Sequence, residues 1–218
     1  MFACAMNRRG HAIRALVSPL VLLASGVALA ACGSSAAGTG QTQAGQAHLD
    51  AAGVLTPATA APPLALRNYL GQPVNIDSFR GKAVLVTFLY THCPDVCPII
   101  ASNLGIAQRL LPAAVAAKTV VIAVSVDPKG DTAKAVRVFL ARHELIGRMQ
   151  YLIGSAHELA SVWKAWEVGS ERDTKNPELV NHTGLVYGIT GSGRRLTLYA
   201  SNFQPAEIAH DIPLLAAR

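Results

Sequence analysis

Two cysteines are the residues whose type and spacing best suit chemistry. Cys93 and Cys97 stand in the run Tyr-Thr-His-Cys-Pro-Asp-Val-Cys-Pro, between a β-prone segment and a helical one. Their separation permits a disulfide, which needs Cα atoms about 4.4 to 6.8 Å apart, and it equally permits two thiolates on one metal ion. A disulfide that closes so short a loop stabilises a fold little in the chain-entropy model. We therefore favour a functional thiol pair and keep a structural disulfide as the alternative.

The position of the pair supports this choice. Pro98 lacks an N–H, so we place it at the first helical position, with Cys97 at the cap and Cys93 on the preceding loop. Amides at a helix start favour the thiolate, the form that binds metal or attacks disulfides. In open α/β sheets, ligands bind at this carboxyl edge of the strands.

A metal site here needs a third donor. Thiolates are soft ligands that suit Cu(I), and copper sites often add an imidazole. His182 is the best-placed candidate, since it lies between a charged loop (residues 171–178) and a strand predicted over 184–190. A lone histidine is more often a core or surface residue than a ligand, so His182 stays a candidate on this ground alone. His92 is a weaker reserve ligand.

The elements around these residues alternate. Buried strands are predicted at 83–90 and 119–126, and helices at 98–118 (interrupted by Pro112), at 131–142 and at 155–166. A short strand at 151–153, a hairpin over 184–199 and a helix over 205–217 complete the chain, and an opening hairpin spans 64–76. We predict an α/β protein of thioredoxin-like fold, a central mixed sheet flanked by helices with an N-terminal hairpin extension.

The first 63 residues are expected to lie outside that fold. Residues 1–31 have a basic start, an apolar stretch and a cysteine after small residues, which is typical of a lipoprotein signal peptide. Leu-Ala-Ala-Cys predicts lipidation of Cys32, and ordinary secretion is the alternative. Residues 32–63, rich in Gly, Ser, Ala and Thr, predict a flexible tether, which leaves residues 64–218 as the folded domain. The expected location is the outer side of a bacterial cell membrane, with the domain facing away from the cytoplasm.

Charge gives no support for nucleic-acid binding. The formal net charge is +6, but Arg8, Arg9 and Arg14 lie in the predicted signal peptide. The rest of the chain shows no basic stripe with interleaved aromatic residues. Cys93 and Cys97 are then the thiols left outside the cytoplasm, where a reducible disulfide between them is expected.

The chain resembles the SCO/SenC copper chaperones of respiratory oxidase assembly. The resemblance rests on LVTFLYTHCPDVCP (residues 85–98), SVDPKGDT (125–132) and the later His182. It implies a thioredoxin-like fold, Cu(I) or Cu(II) bound by Cys93, Cys97 and His182, and delivery to, or thiol preparation of, the dinuclear copper centre of cytochrome c oxidase. The implied partners are the copper-bearing oxidase subunit and another periplasmic or surface copper carrier. Asn181 stands where the family often has Asp.

Three functions are compatible with a thiol pair at this position. A metallochaperone transfers copper without turnover, and His182 favours it. A thiol:disulfide oxidoreductase is expected to carry Cys-x2-Cys together with a cis-proline. A peroxiredoxin-type peroxidase would need Thr three residues before the cysteine, whereas Thr91 is two residues before it. The acidic residues near the pair have simpler interpretations: Asp127 in a turn, Asp131 as a helix cap, and Asp95 tuning the charge of the loop.

Overall fold

The computed structural model describes residues 48–176 and 179–218. The predicted signal peptide, Cys32 and the tether as far as residue 47 lie outside the described residues, as do Pro177 and Glu178. Within the described part, no helix combines the length and the apolar character that crossing a membrane requires.

Two parallel strands form the centre of the sheet. β4 (Ala83–Leu89) pairs in parallel with β5 (Thr119–Ser125), and all seven residues of β4 are buried. Side chains alternate between the two faces of a strand, so a strand buried throughout is covered on both sides. The run AVLVTFL, rich in β-branched and large apolar residues, is the sequence expected at such a position.

The remaining elements extend this centre into an eight-stranded mixed sheet of order β1-β10-β9-β4-β5-β6-β2-β3. β5 and β6 are parallel, whereas β9 runs antiparallel to β4. The other strands are β1 (Gly53–Ala60), β2 (Ala65–Asn68), β3 (Pro73–Asn75), β6 (Gln150–Ile153), β7 (Ser170–Arg172), β8 (Val180–His182), β9 (Leu185–Ile189) and β10 (Arg194–Ala200). The helices are α1 (Val96–Leu110), α2 (Ala113–Ala116), α3 (Ala133–Arg142), α4 (Ala156–Ala165) and α5 (Pro205–Ala216), with a 3-10 turn at Ile76–Phe79. The predicted fold class is confirmed.

Most predicted boundaries are close to the observed ones. α1 ends before Pro112, which cannot continue a helix. Ser155 and Glu158 form a capping box at the start of α4. The opening hairpin is β2–β3, and the closing hairpin β9–β10 turns through Gly193 at φ 77°, a left-handed conformation that glycine adopts readily.

The tether prediction was wrong for its last part. Residues 53–60 form β1, which pairs antiparallel with β10 at the edge of the sheet. The register shifts between Val54 and Thr59, on either side of Pro57. An edge strand tolerates proline because one row of its backbone groups faces away from the sheet. With small residues and no continuous apolar alternation, GVLTPATA gave little indication of a strand.

Candidate metal centre

The two cysteines lie at the junction of β4 and α1. α1 begins at Val96, so Cys97 is in its first turn and Pro98 is the third helical residue rather than the first. This correction has a simple reason: the first four N–H groups of a helix have no intrahelical acceptor, so proline fits any of these positions. Cys97 has no exposed surface, and Cys93 is 8% exposed. Both are free thiols in this structure.

His182 is the last residue of β8, which pairs with β7 in a two-stranded sheet. These two short strands form a hairpin, hereafter the β7–β8 hairpin, and the charged segment predicted as a loop, residues 171–178, begins within β7 and ends before β8. Val180 is buried, whereas Glu171, Arg172 and Asn181 are exposed, so strands this short show no apolar run. The hairpin places His182 beside the cysteine loop.

The three predicted ligands lie together. Cys97 Sγ is 4.0 Å from His182 Nε2, and Cys93 and His182 line one cleft of about 320 Å³ with residues 94–96, 179–181 and Tyr90. Metal–sulfur bonds near 2.3 Å and metal–nitrogen bonds near 2.0 Å, as in zinc sites, put two donors of one ion about 3.5 to 4.3 Å apart. The distance between Cys97 and His182 fits a shared ion.

The imidazole already has backbone partners on both sides. Nε2 lies 3.0 Å from the carbonyl oxygen of Phe88, and Nδ1 lies 3.2 Å from that of Val180. A neutral imidazole carries one N–H and can donate to only one of them. A metal-binding histidine commonly donates its other N–H to a carbonyl, so the Val180 oxygen suits a histidine that binds through Nε2. The side chain of Asn181 hydrogen-bonds to Asp173.

The thiols differ in acidity. A hydrogen bond from the Cys97 thiol lowers the pKa of Cys93 to about 5, helped by the backbone N–H groups of Asp95 and Cys97 and the Tyr90 hydroxyl, although burial opposes the shift. Donating that hydrogen bond raises the pKa of Cys97, and burial raises it further. Burial is also the main reason that the pKa of Tyr90 rises to about 12. At neutral pH the pair therefore holds one proton, with Cys93 as the thiolate.

Tyr90 is a site residue that the sequence analysis missed. Its hydroxyl accepts a hydrogen bond from the backbone N–H of Val180 at 3.4 Å, and its ring packs edge-on against His182 with ring centres 5.7 Å apart. It thus touches the cysteine loop and the β7–β8 hairpin. A tyrosine at the end of a buried strand is normally a core residue, so nothing in the sequence distinguished it.

His92 is not brought to the three ligands. Its Nδ1 lies 3.1 Å from the hydroxyl of Thr91, and its side chain lines a different cavity, of about 370 Å³, between the cysteine loop and α3. Asp95 is the N-cap residue of α1, although its side chain makes no capping hydrogen bond.

Asp131 does not cap α3 as predicted, because Thr132 is the N-cap and its hydroxyl accepts from the backbone N–H of Ala135 at 3.2 Å. Asp131 is instead buried among polar partners described below, and that burial raises its pKa. Asp127 lies in the predicted turn, accepting from the backbone N–H of Lys129 at 3.2 Å, but it is also buried and pairs with Arg172.

Known proteins resemble this chain in sequence and in fold. The SCO1/SenC family model matches residues 54–217. The mouse mitochondrial protein SCO1 homolog is 27% identical over 154 residues, covering 69% of this chain and 54% of its own length. The chain thus spans about half the length of this and the human curated relative.

Two solved structures share the fold. Copper-bound ScoI of Bradyrhizobium japonicum is 30% identical, with a TM-score of 0.61 over 72% of this chain and 99% of its own. BsSco, described as having a disulfide switch and as a member of the Sco family of cytochrome c oxidase assembly proteins, shares the fold at 22% identity and a TM-score of 0.61, over 73% of this chain and 94% of its own. With its motifs and its domain both matched, the chain belongs to the SCO1/SenC family.

Proposed function

We propose that this protein is a copper metallochaperone that binds one copper ion through Cys93, Cys97 and His182. The observation that carries the proposal is the 4.0 Å separation between Cys97 Sγ and His182 Nε2, in a cleft that Cys93 also lines. Two thiolates and an imidazole are a donor set that suits copper better than hard cations. Copper-bound ScoI, which has the same fold, supports the same cargo for this chain.

Each of the three residues has a different role in copper binding. Cys93, already a thiolate and at the cleft, meets incoming copper first. Cys97 then gives up the proton that the two sulfurs share, so binding of copper by both thiolates releases one proton. His182 turns Nε2 from the Phe88 carbonyl oxygen to the ion while Nδ1–H donates to Val180 O. Bound copper is held as cargo and leaves by ligand exchange.

Delivery to the copper-bearing subunit of cytochrome c oxidase is part of the proposal, as is receipt from another periplasmic or surface carrier. The family's link to oxidase assembly supports the first partner. A signal peptide over residues 1–31 would direct export, and a lipid on Cys32 would hold the domain at the outer face of the cell membrane. Those residues precede the described part of the chain, so their support is the sequence pattern.

A thiol:disulfide oxidoreductase is the second candidate, and the lowered pKa of Cys93 favours it. In that reaction Cys93 attacks a disulfide of the client, and Cys97 then displaces the client thiol. The client disulfide gains two electrons and two protons as Cys93 and Cys97 become a disulfide. Disulfide exchange does not need an imidazole at His182, so that residue separates the two functions.

Copper stoichiometry of the reduced protein tests the proposal. We expect one copper per chain, and we expect Cys93→Ser and Cys97→Ser each to abolish tight binding. His210→Ala is a matched control, because His210 lies with Asp50 and Asp211 in another group of metal-capable side chains, on and near α5. A reduced wild-type protein that binds no copper yet reduces a test disulfide would establish the oxidoreductase instead.

A further inference from the structure

The segment between β5 and α3 touches both parts of the chain that carry the proposed ligands. This segment, hereafter the 127–131 loop, runs from Asp127 to Asp131, and both aspartates are buried, at 5% and 4% exposure. Buried carboxylates require hydrogen-bonding or charged partners, because an isolated charge in the interior is costly. The partners of the two aspartates indicate the structural role of the loop.

Asp131 is bound to the cysteine loop. Its Oδ1 accepts the backbone N–H of Thr91 at 2.8 Å, and Thr91 is two residues before Cys93. Its Oδ2 accepts from the hydroxyls of Ser125 at 2.6 Å and Tyr151 at 2.9 Å, both in central strands. The carboxylate thus fixes the start of the cysteine loop to the rigid part of the sheet.

Asp127 is bound to the β7–β8 hairpin. Its carboxylate pairs with the guanidinium of Arg172, and the Ser170 hydroxyl donates to the neighbouring Val126 carbonyl at 3.3 Å. In the hairpin register, Arg172 lies opposite Val180 and Ser170 lies opposite His182. The two contacts therefore attach β7 to the loop at Arg172 and Ser170. These residues pair with β8, the strand that carries His182.

The hairpin needs such support because two strands of three residues are not stable in water on their own. Gly130 allows the support to form: a Cβ at this position would lie 2.3 Å from Asp127 Oδ2. Any side chain there would displace the carboxylate that Arg172 binds.

We propose that the 127–131 loop is a positioning element that fixes the hairpin of His182 relative to the cysteine loop, through Asp127–Arg172 on one side and Asp131–Thr91 on the other. The inference rests on the proposed function for its copper consequence. Asp127 and Arg172 affect copper binding only through the position of His182, so they are positioning residues.

The test uses the full-length protein with Asp127→Asn, Arg172→Gln and the double variant. Amide hydrogen exchange of the reduced, copper-free protein should become about tenfold faster in residues 170–172 and 180–182 and stay unchanged in β4. Because the two residues share this contact, the effect of the double variant should be smaller than the sum of the two single effects. Arg172→Lys should restore much of the protection. Arg109→Gln, which breaks the exposed pair with Glu144, is the matched control.

The second readout is copper itself. Cu(II) affinity should fall about 5- to 50-fold in Asp127→Asn and Arg172→Gln, with a shifted thiolate absorption, and Cu(I) affinity should change far less because both thiolates remain. Hairpin exchange no faster than in Arg109→Gln overturns the positioning role, whatever copper does. If hairpin exchange is faster in these variants but His182→Ala does not change copper binding, the positioning role is intact. That result rejects His182 as a ligand in the proposed function.

Discussion

Nε2 of His182 lies 3.0 Å from the carbonyl oxygen of Phe88, the residue before the last of β4. The imidazole is thus held at the sheet edge by the backbone of the same strand that leads into the cysteine loop. In the proposed function, copper binding exchanges this contact for a metal bond, with little movement because Cys97 Sγ is 4.0 Å from the same nitrogen.

Replacing His182 with alanine should therefore separate the two oxidation states of copper. Two thiolates still hold Cu(I) almost linearly, whereas Cu(II) is poorly held by two donors and tends to oxidise them. We expect His182→Ala to lose or shift the Cu(II)–thiolate absorption while Cu(I) binding persists. His210→Ala should leave both unchanged. Identical spectra and affinities in His182→Ala and wild type would remove the histidine from the ligand set.

The cysteine pair should form a reversible disulfide. Two thiols in one site oxidise readily under oxidising conditions, and the thiolate of Cys93 promotes exchange. Differential alkylation followed by mass spectrometry should find both cysteines blocked after mild oxidation and both modified after reduction. Two freely alkylated thiols in the oxidised sample would contradict this prediction, and Cys93→Ser serves as the control that cannot close the bond.

The pKa of Cys93 predicts how alkylation depends on pH. A lowered pKa keeps a thiol ionised above that pKa, so iodoacetamide should modify Cys93 of the reduced, copper-free protein across neutral pH. The rate should fall as the pH drops through about 5. Cys97→Ala should move the midpoint upward towards that of an ordinary thiol, because the strongest hydrogen bond to Cys93 is lost. A midpoint in the wild type near the ordinary value of 9.0 would refute the shared proton.

Cys32→Ser should abolish membrane attachment if that residue carries the lipid. The variant should either accumulate as an uncleaved precursor or appear in the medium or soluble fraction after cell fractionation. Cys4→Ser, in the predicted signal peptide, is the matched control and should be processed normally. Retention of processed Cys32→Ser in the membrane would mean that the anchor is elsewhere.

Deleting residues 33–63 should destabilise the domain, although these residues were predicted to be a tether. The deletion removes β1 and the backbone N–H groups of Asp50 and Ala51, which donate to the buried carboxylate of Asp211 at 2.8 and 3.0 Å. Each such loss costs about 1–3 kcal/mol, so the free energy of unfolding should fall by at least about 2 kcal/mol in urea denaturation. Deletion of residues 33–47 alone should have no such effect. Equal stability of the two deletions would argue against the role of β1.

The parts of the fold predicted from sequence are those that strong local patterns specify. AVLVTFL has the composition of a doubly covered strand, and Ser155 with Glu158 marks a helix start. β1 escaped prediction because its stability comes from pairing with β10, some 135 residues later, rather than from its own apolar pattern. The same holds for β7 and β8, which flank the charged segment and show no strand pattern until they pair.

In the candidate site, too, some residues could be predicted from the sequence and others could not. Cys93, Cys97 and His182 were predicted because few residue types bind soft metals and their motifs are specific. Tyr90 and Arg172 were not, because their contacts depend on side chains that only the folded chain brings together. Asp131 was assigned to the cap of α3, one residue from the true N-cap, since Asp and Thr are both good caps and the sequence alone does not separate them.

The unequal exposure of the two sulfurs sets the order in which any thiol exchange must proceed. Cys93 lines the cleft, whereas Cys97 has no exposed surface. An incoming thiolate can reach only the Cys93 sulfur of an oxidised pair, so the mixed disulfide forms there and Cys97 is the leaving group. In the reverse direction Cys97 is the resolving thiol. A mixed disulfide with a partner protein would accordingly carry its covalent bond on Cys93.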